Sequence, residues 1–144
     1  MTPASEKAAA LEALADRVAG AKGPDRELDA AIWLASVPGA TRNELRYVHK
    51  ASGKDCVIDE TRDASRRLII VPAYSASLDA AMTLVPEGWT WFVRCSLDNE
   101  AMAGVYDPAP GFWGDASNAL GKTPALALTA AALRSAAALA RGEG

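Results

Sequence analysis

The sequence predicts an α+β domain in which helices lie on a small antiparallel sheet. Two patterns point to it: apolar stripes at helical spacing between capping residues, and short period-two alternations that end in turn residues. Composition agrees. Half of the 144 residues are hydrophobic and 23% are charged, yet only 6% are aromatic. The core must therefore be built from Leu, Ile, Val and Ala, small enough for helices to pack closely on a sheet. A chain of this length forms one ordinary core, so residues 1–144 read as a single domain.

Residues 5–21 come first. Leu11, Leu14, Val18 and Ala21 recur at 3-4-3 spacing, the stripe of an amphipathic helix that Gly20 and Gly23 end. Two heptads are too few for a coiled coil. This accessory segment, 4–22, therefore either packs on its own domain or joins a second copy into a homo-oligomer. Pro24 suits a first helical position, with Asp25 and Glu27 in the first turn. Leu28, Ala31, Ile32 and Ala35 form the next stripe, with Trp33 at its edge and Pro38-Gly39 as the stop.

The period then changes. Leu45-Arg46-Tyr47-Val48 and Cys56-Val57-Ile58 flank Ser52-Gly53-Lys54-Asp55, which predicts a hairpin. Leu68-Ile69-Ile70-Val71 has the continuous β-branched character of a strand covered on both faces. A third helix follows, capped by Ser75 or Ser77, with Leu78, Ala81, Met82 and Val85 inward and Pro86-Glu87-Gly88 as its end. Residues 89–97 alternate, with Trp89, Trp91, Val93, Cys95 and Leu97 on one face. Asp98-Asn99 turns the chain into a partner strand over 101–106, where Gly104 signals close approach or a bulge. Residues 107–122 read as a long loop around Phe112 and Trp113. Thr123 then caps a final helix with Pro124 at its first position, Leu126, Ala130, Leu133 and Ala137 inward, and Arg134 and Arg141 toward water.

Several function classes are disfavoured. A net charge of −3 gives no general attraction to nucleic acid or anionic lipid. No apolar stretch approaches the roughly 20 residues that cross a bilayer. Glu6, Glu12 and Asp16 interrupt the place of a signal core, so the expectation is a cytoplasmic protein. Cys56 and Cys95 lack CxxC spacing and read as two reduced thiols.

Enzyme-like motifs are weak. Ala116-Ser117-Asn118-Ala119-Leu120-Gly121-Lys122-Thr123 satisfies a loose phosphate-loop pattern, but Pro124 removes an N–H that a cradle needs, and Thr123-Pro124 is better read as a helix start. His49 is the single histidine, without a nucleophile elbow or a cysteine nearby. Asp55, Asp59, Glu60 and Asp63 lack the glycine and glutamate of a calcium loop and read as a solvated turn. No catalytic residue, metal or cofactor is expected.

Three phrases stand in fixed order: Arg26-Glu27-Leu28-Asp29-Ala30, then Pro72-Ala73-Tyr74-Ser75-Ala76-Ser77-Leu78-Asp79-Ala80-Ala81, then Thr123-Pro124-Ala125-Leu126-Ala127-Leu128. Together they resemble the phage ABA sandwich domain, a family of small proteins of bacteriophages and prophages. The resemblance covers residues 24–140, although 40–71 is longer than is usual for that family. It implies an α-β-α sandwich, with a small, mainly antiparallel sheet between helices. The family has no assigned biochemical activity.

The reading adopted is a non-enzymatic phage or prophage accessory protein in the cytoplasm of a bacterial host. It binds a host or phage protein, with Phe112 and Trp113 as anchors. The same two residues would otherwise pack onto the sheet as a lid. A second reading is a protein that sequesters a nucleotide-type ligand of host defence, with Arg62, Arg66 and Arg67 clamping phosphate. Tyr74 either packs between helices, the preferred role, or turns its hydroxyl to the ligand. A nucleic-acid binder or hydrolase is the third reading, which the acidic balance disfavours.

Overall fold

The computed structural model describes residues 2–95, 98–108 and 117–142. Its first helix, α1 (Pro3–Ala19), starts where the Thr2 side chain accepts the Ser5 N–H at 3.1 Å, satisfying a donor that has no partner within the helix. Ala8, Leu11, Leu14, Ala15 and Val18 are buried on one side. The last helix, α4 (Pro124–Gly142), covers that side. Thr123 caps it as expected, its hydroxyl accepting the Leu126 N–H at 3.2 Å. The two helices run antiparallel, with Arg134 to Asp16 at 3.3 Å and Arg141 to Glu12 at 2.8 Å along their seam. The stripe of α1 is thus used inside its own chain.

α4 also lies on a three-stranded antiparallel sheet of β3 (Thr90–Cys95), β4 (Ala101–Tyr106) and β5 (Ser117–Gly121), in that order. Alternation along the strands sends Ala101, Ala103, Val105, Ala119 and Gly121 toward the helix. The small residues let the layers approach: a Cβ on Gly121 would stand 2.6 Å from the Ala127 nitrogen. Gly104 behaves as expected on the opposite face, where the Phe92 ring crosses it and would sit 2.4 Å from an added Cβ. Asn99 makes the β3–β4 turn at φ 60°, a conformation asparagine tolerates. The fold is an α+β sandwich.

α2 (Arg26–Ser36) and the short α3 (Leu78–Met82) complete the helices. Asp25 is the N-cap of α2, accepting from Glu27 and Leu28, so the helix starts later than Pro24 suggested. Trp33 is buried rather than at an edge. α3 stops early because the Thr83 hydroxyl takes the Ala80 carbonyl at 2.6 Å, competing with continuation of the helix. Met82 is consequently exposed.

Two further expectations are corrected. Residues 117–121 are the third strand, not part of a loop. They lack β-branched residues, and it is pairing with β4 and burial under α4 that make them a strand. Lys122 reaches Glu100 at 3.7 Å, so the phosphate-loop pattern is a strand leading into a helix cap. Residues 68–71 are not a covered strand. They touch the neighbouring hairpin at a bridge between Arg62 and Leu68, and Ile70 is 91% exposed, since among the described residues no second strand lies beside them.

The predicted hairpin is real and longer than expected: β1 (Thr41–Val48) pairs with β2 (Asp55–Arg62) through the full length of both. It forms its own two-stranded sheet, and most of its residues are exposed.

Candidate functional site

The three helix-start phrases meet in space, which explains their residue types. Asp29 of α2 is wholly buried and accepts the Ser75 N–H at 2.8 Å and Arg26 at 2.9 Å. The Ser75 hydroxyl in turn accepts the Asp25 N–H at 2.8 Å, and Arg26 donates to the Val71 carbonyl at 2.8 Å. From α4, the buried Thr129 hydroxyl donates to the Tyr74 carbonyl at 3.1 Å. Each polar group spends itself on another segment of the chain. This cluster is a structural latch that ties α2, the segment before α3 and α4 together.

A pocket of about 390 Å³ opens beside it between α1, α2 and α4. Leu11, Val37, Leu84, Leu133 and Leu139 form apolar walls, with Lys7 and Tyr74 also lining it. Tyr74 is only 3% exposed, so its packing role is met. Its hydroxyl makes no hydrogen bond among the described residues, whereas every fully enclosed side-chain polar atom there has a partner. The hydroxyl therefore touches open space, and the space Tyr74 borders is this pocket. Burial first, and the nearby Asp29 charge second, push its ionisation above the ordinary tyrosine value, so at neutral pH it is a hydrogen-bond donor.

The hairpin is the other open feature. Directly opposed residues of an antiparallel pair share a face. One face therefore carries Leu45 opposite Ile58 and Tyr47 opposite Cys56. Leu45, Tyr47 and Ile58 are each nearly half exposed. The reverse face is charged, with Arg42, Glu44, Arg46, Asp55 and Asp59 beside Val48 and Val57. Arg42 anchors the hairpin base, reaching Glu27 of α2 and Asp59 of β2, each at 3.0 Å. These hydrogen bonds hold Glu27 below the ordinary carboxylate range and raise Arg42 further above neutrality.

The predicted site residues fall in different places. Phe112 and Trp113 lie outside the described residues. Arg62 is engaged: it pairs with Glu60 at 3.2 Å and donates to the Arg66 carbonyl at 2.7 Å. Arg66 sits at φ 63° in a tight turn and Arg67 follows it, both exposed. The Asp63 carboxylate holds that turn by accepting the Ser65 and Arg67 N–H groups. Asp59, Glu60 and Asp63 are thus taken up by pairs and a turn, and His49 sits exposed at the hairpin tip. Both cysteines are free. Among the described residues, no group of three or more His, Cys, Asp or Glu is placed to hold a metal, and no helix is long and apolar enough to cross a membrane.

Sequence reasoning did not single out the apolar hairpin face. Its signal was present in the alternation of Leu45 and Tyr47 with charged neighbours. The expectation that the following segment was a covered strand hid it, because such a strand implies a neighbouring layer. No protein-family model matches the chain, and neither a curated protein nor a solved structure does.

Proposed function

We propose that this chain is a non-enzymatic binding protein that docks a partner protein through the apolar face of its β1–β2 hairpin. One observation carries the reading. Leu45, Tyr47 and Ile58 are gathered on one side of an exposed hairpin, apart from the core under α1 and α4. Apolar surface held this way costs free energy unless something covers it, and an aromatic beside two aliphatics is the usual make-up of a protein anchor. The phage-family resemblance of the helix-start phrases supplies a setting for the proposal: a small phage or prophage protein acting on a host or phage protein inside a bacterium. The hairpin occupies the stretch in which this chain is longer than that family.

The test is affinity capture from bacterial lysate with mass spectrometry, comparing the natural chain with the double variant Leu45→Ser, Ile58→Ser. Circular dichroism checks that the variant stays folded. Loss of a specific, identified partner from the variant supports the reading. An unchanged set of captured proteins removes it.

A second, small-ligand reading is favoured by the unpartnered Tyr74 hydroxyl in a pocket that Lys7 also lines. It moves the ligand site away from the arginine segment, where Arg62 is already paired. A thermal-shift screen with nucleotides and with small apolar carboxylates tests it, since a ligand at 100 times its Kd stabilises by about 2.7 kcal/mol. A flat screen counts against it.

A further inference from the structure

The two edges of the hairpin differ. β2 is partly covered on its outer side: the Ile69 N–H donates to the Thr61 carbonyl at 2.9 Å, and Leu68 bridges to Arg62. Among the described residues, β1 has no strand on its outer side. The hydrogen-bond alternation can be read from both ends of the ladder. Thr61 points its carbonyl away from β1, and it stands opposite Arg42. At the other end, His49 donates inward to the Lys54 carbonyl at 2.9 Å. The odd residues of β1 thus spend their backbone groups on β2. Arg42, Glu44, Arg46 and Val48 present theirs at the free edge.

We propose that this edge pairs with a second copy of the chain, β1 against β1 in antiparallel fashion about a two-fold axis at Leu45. This rests on the reading of the hairpin as the interaction element and names one partner for it. The register follows from charge and overlap. With Leu45 opposite itself, Glu44 faces Arg46 of the second copy and Arg46 faces its Glu44. Arg42 likewise faces Val48, so all of the outward backbone groups of these four residues find partners. The pairing uses β1 from Arg42 to Val48, nearly its whole length. A shift that centres the axis on Glu44 sets Glu44 against Glu44, and one centred on Arg46 sets Arg46 against Arg46. Like charges directly opposed across strands are unfavourable. Centring on Arg42 or Val48 leaves much of the strand unpaired.

The side-chain faces agree with this register. Leu45 meets its own copy in a non-hydrogen-bonded pair, where side chains approach most closely. The sheet becomes four-stranded, and Leu45, Tyr47 and Ile58 of both copies join in one apolar platform. An exposed strand edge of this length, with alternating apolar residues, is a template for such addition.

Charge exchange tests the register. The natural chain is expected to dimerise in sedimentation velocity over a concentration series. Glu44→Arg and Arg46→Glu, made singly, each turn two attractive contacts into two repulsive ones and are expected to weaken the dimer about tenfold or more. The double exchange E44R/R46E restores the complementary pairs and the dimer. An equimolar mixture of the two single variants forms a heterodimer tighter than either variant alone. A natural chain that stays monomeric up to millimolar concentration overturns the proposal. So does a dimer indifferent to the single exchanges, or a double exchange that fails to recover association. Glu44 and Arg46 lie on the face opposite Leu45, Tyr47 and Ile58. A natural chain that captures a partner through the apolar face yet stays monomeric therefore fails this inference alone, and one that dimerises yet captures no partner through that face fails only the docking proposal.

Discussion

Replacing Asp29 with alanine removes the centre of the buried latch. Asp29 has no exposed surface, and its carboxylate accepts the Ser75 N–H at 2.8 Å. With alanine there, that buried donor loses its acceptor, which costs about 1–3 kcal/mol. The second bond, to Arg26, is worth less, because the arginine side chain is 59% exposed and water can replace the partner; its share is about 0–1 kcal/mol. The two together give about 3 kcal/mol, a large part of a total stability on the order of 5–15 kcal/mol. Urea unfolding followed by far-ultraviolet circular dichroism reads the effect. With a slope of about 1–3 kcal/mol per molar, the midpoint should fall by about 1–3 M. Asp29→Asn keeps an oxygen for the Ser75 N–H and loses the charge toward Arg26, so it should cost about 1 kcal/mol. An alanine variant that unfolds at the same urea concentration as the natural chain would refute the latch as the tie between α2 and the segment before α3.

Tyr74→Phe should leave stability within about 0.5 kcal/mol of the natural chain, since the hydroxyl forms no internal bond, whereas Tyr74→Ala empties a core site at about 3–5 kcal/mol; thermal melts compare the two. Absorbance titration should find Tyr74 ionising at higher pH than free tyrosine, as its burial requires. Gly104→Ala places a methyl against the Phe92 ring and Asn118 and should cost about 1–3 kcal/mol in urea, although Gly to Ala favours a strand elsewhere. The Arg141 hydrogen bond, with the charges of Arg141 and Arg134 adding to it, lowers Glu12 below the ordinary glutamate value. A carboxylate lowered on folding stabilises above its unfolded pKa, and that contribution disappears as pH falls through the lowered value. Carbon-detected NMR titration should show Glu12 returning toward the ordinary value in Arg141→Ala.

Local pattern made much of the fold legible. The stripes of α1 and α4, the caps at Ser77 and Thr123, the turn at Asn99 and the tight approach at Gly104 all depend on residues a few positions apart, or on an intrinsic backbone preference. The site was harder to read. Tyr74 was named for packing, and its buried ring agrees, but its free hydroxyl depends on what α1 and α4 leave open. The arginines of 62–67 form a cluster in sequence, yet Arg62 is bound by Glu60 and by the turn that follows.

By itself the sequence determined that four helices form, the apolar stripes of α1 and α4, and that a hairpin turns at Ser52-Gly53-Lys54-Asp55, whereas the start of α2 and the end of α3 departed from it. Tertiary structure alone decided that residues 117–121 become a strand, that 68–71 do not, and that one hairpin face stays open. The physical reason is range. Helical and pleated periods arise from neighbours along the chain, whereas β5 needs β4 and α4 to cover it. Likewise, the bond from Ser75 to Asp29 joins groups 46 residues apart and exists only once the layers have met.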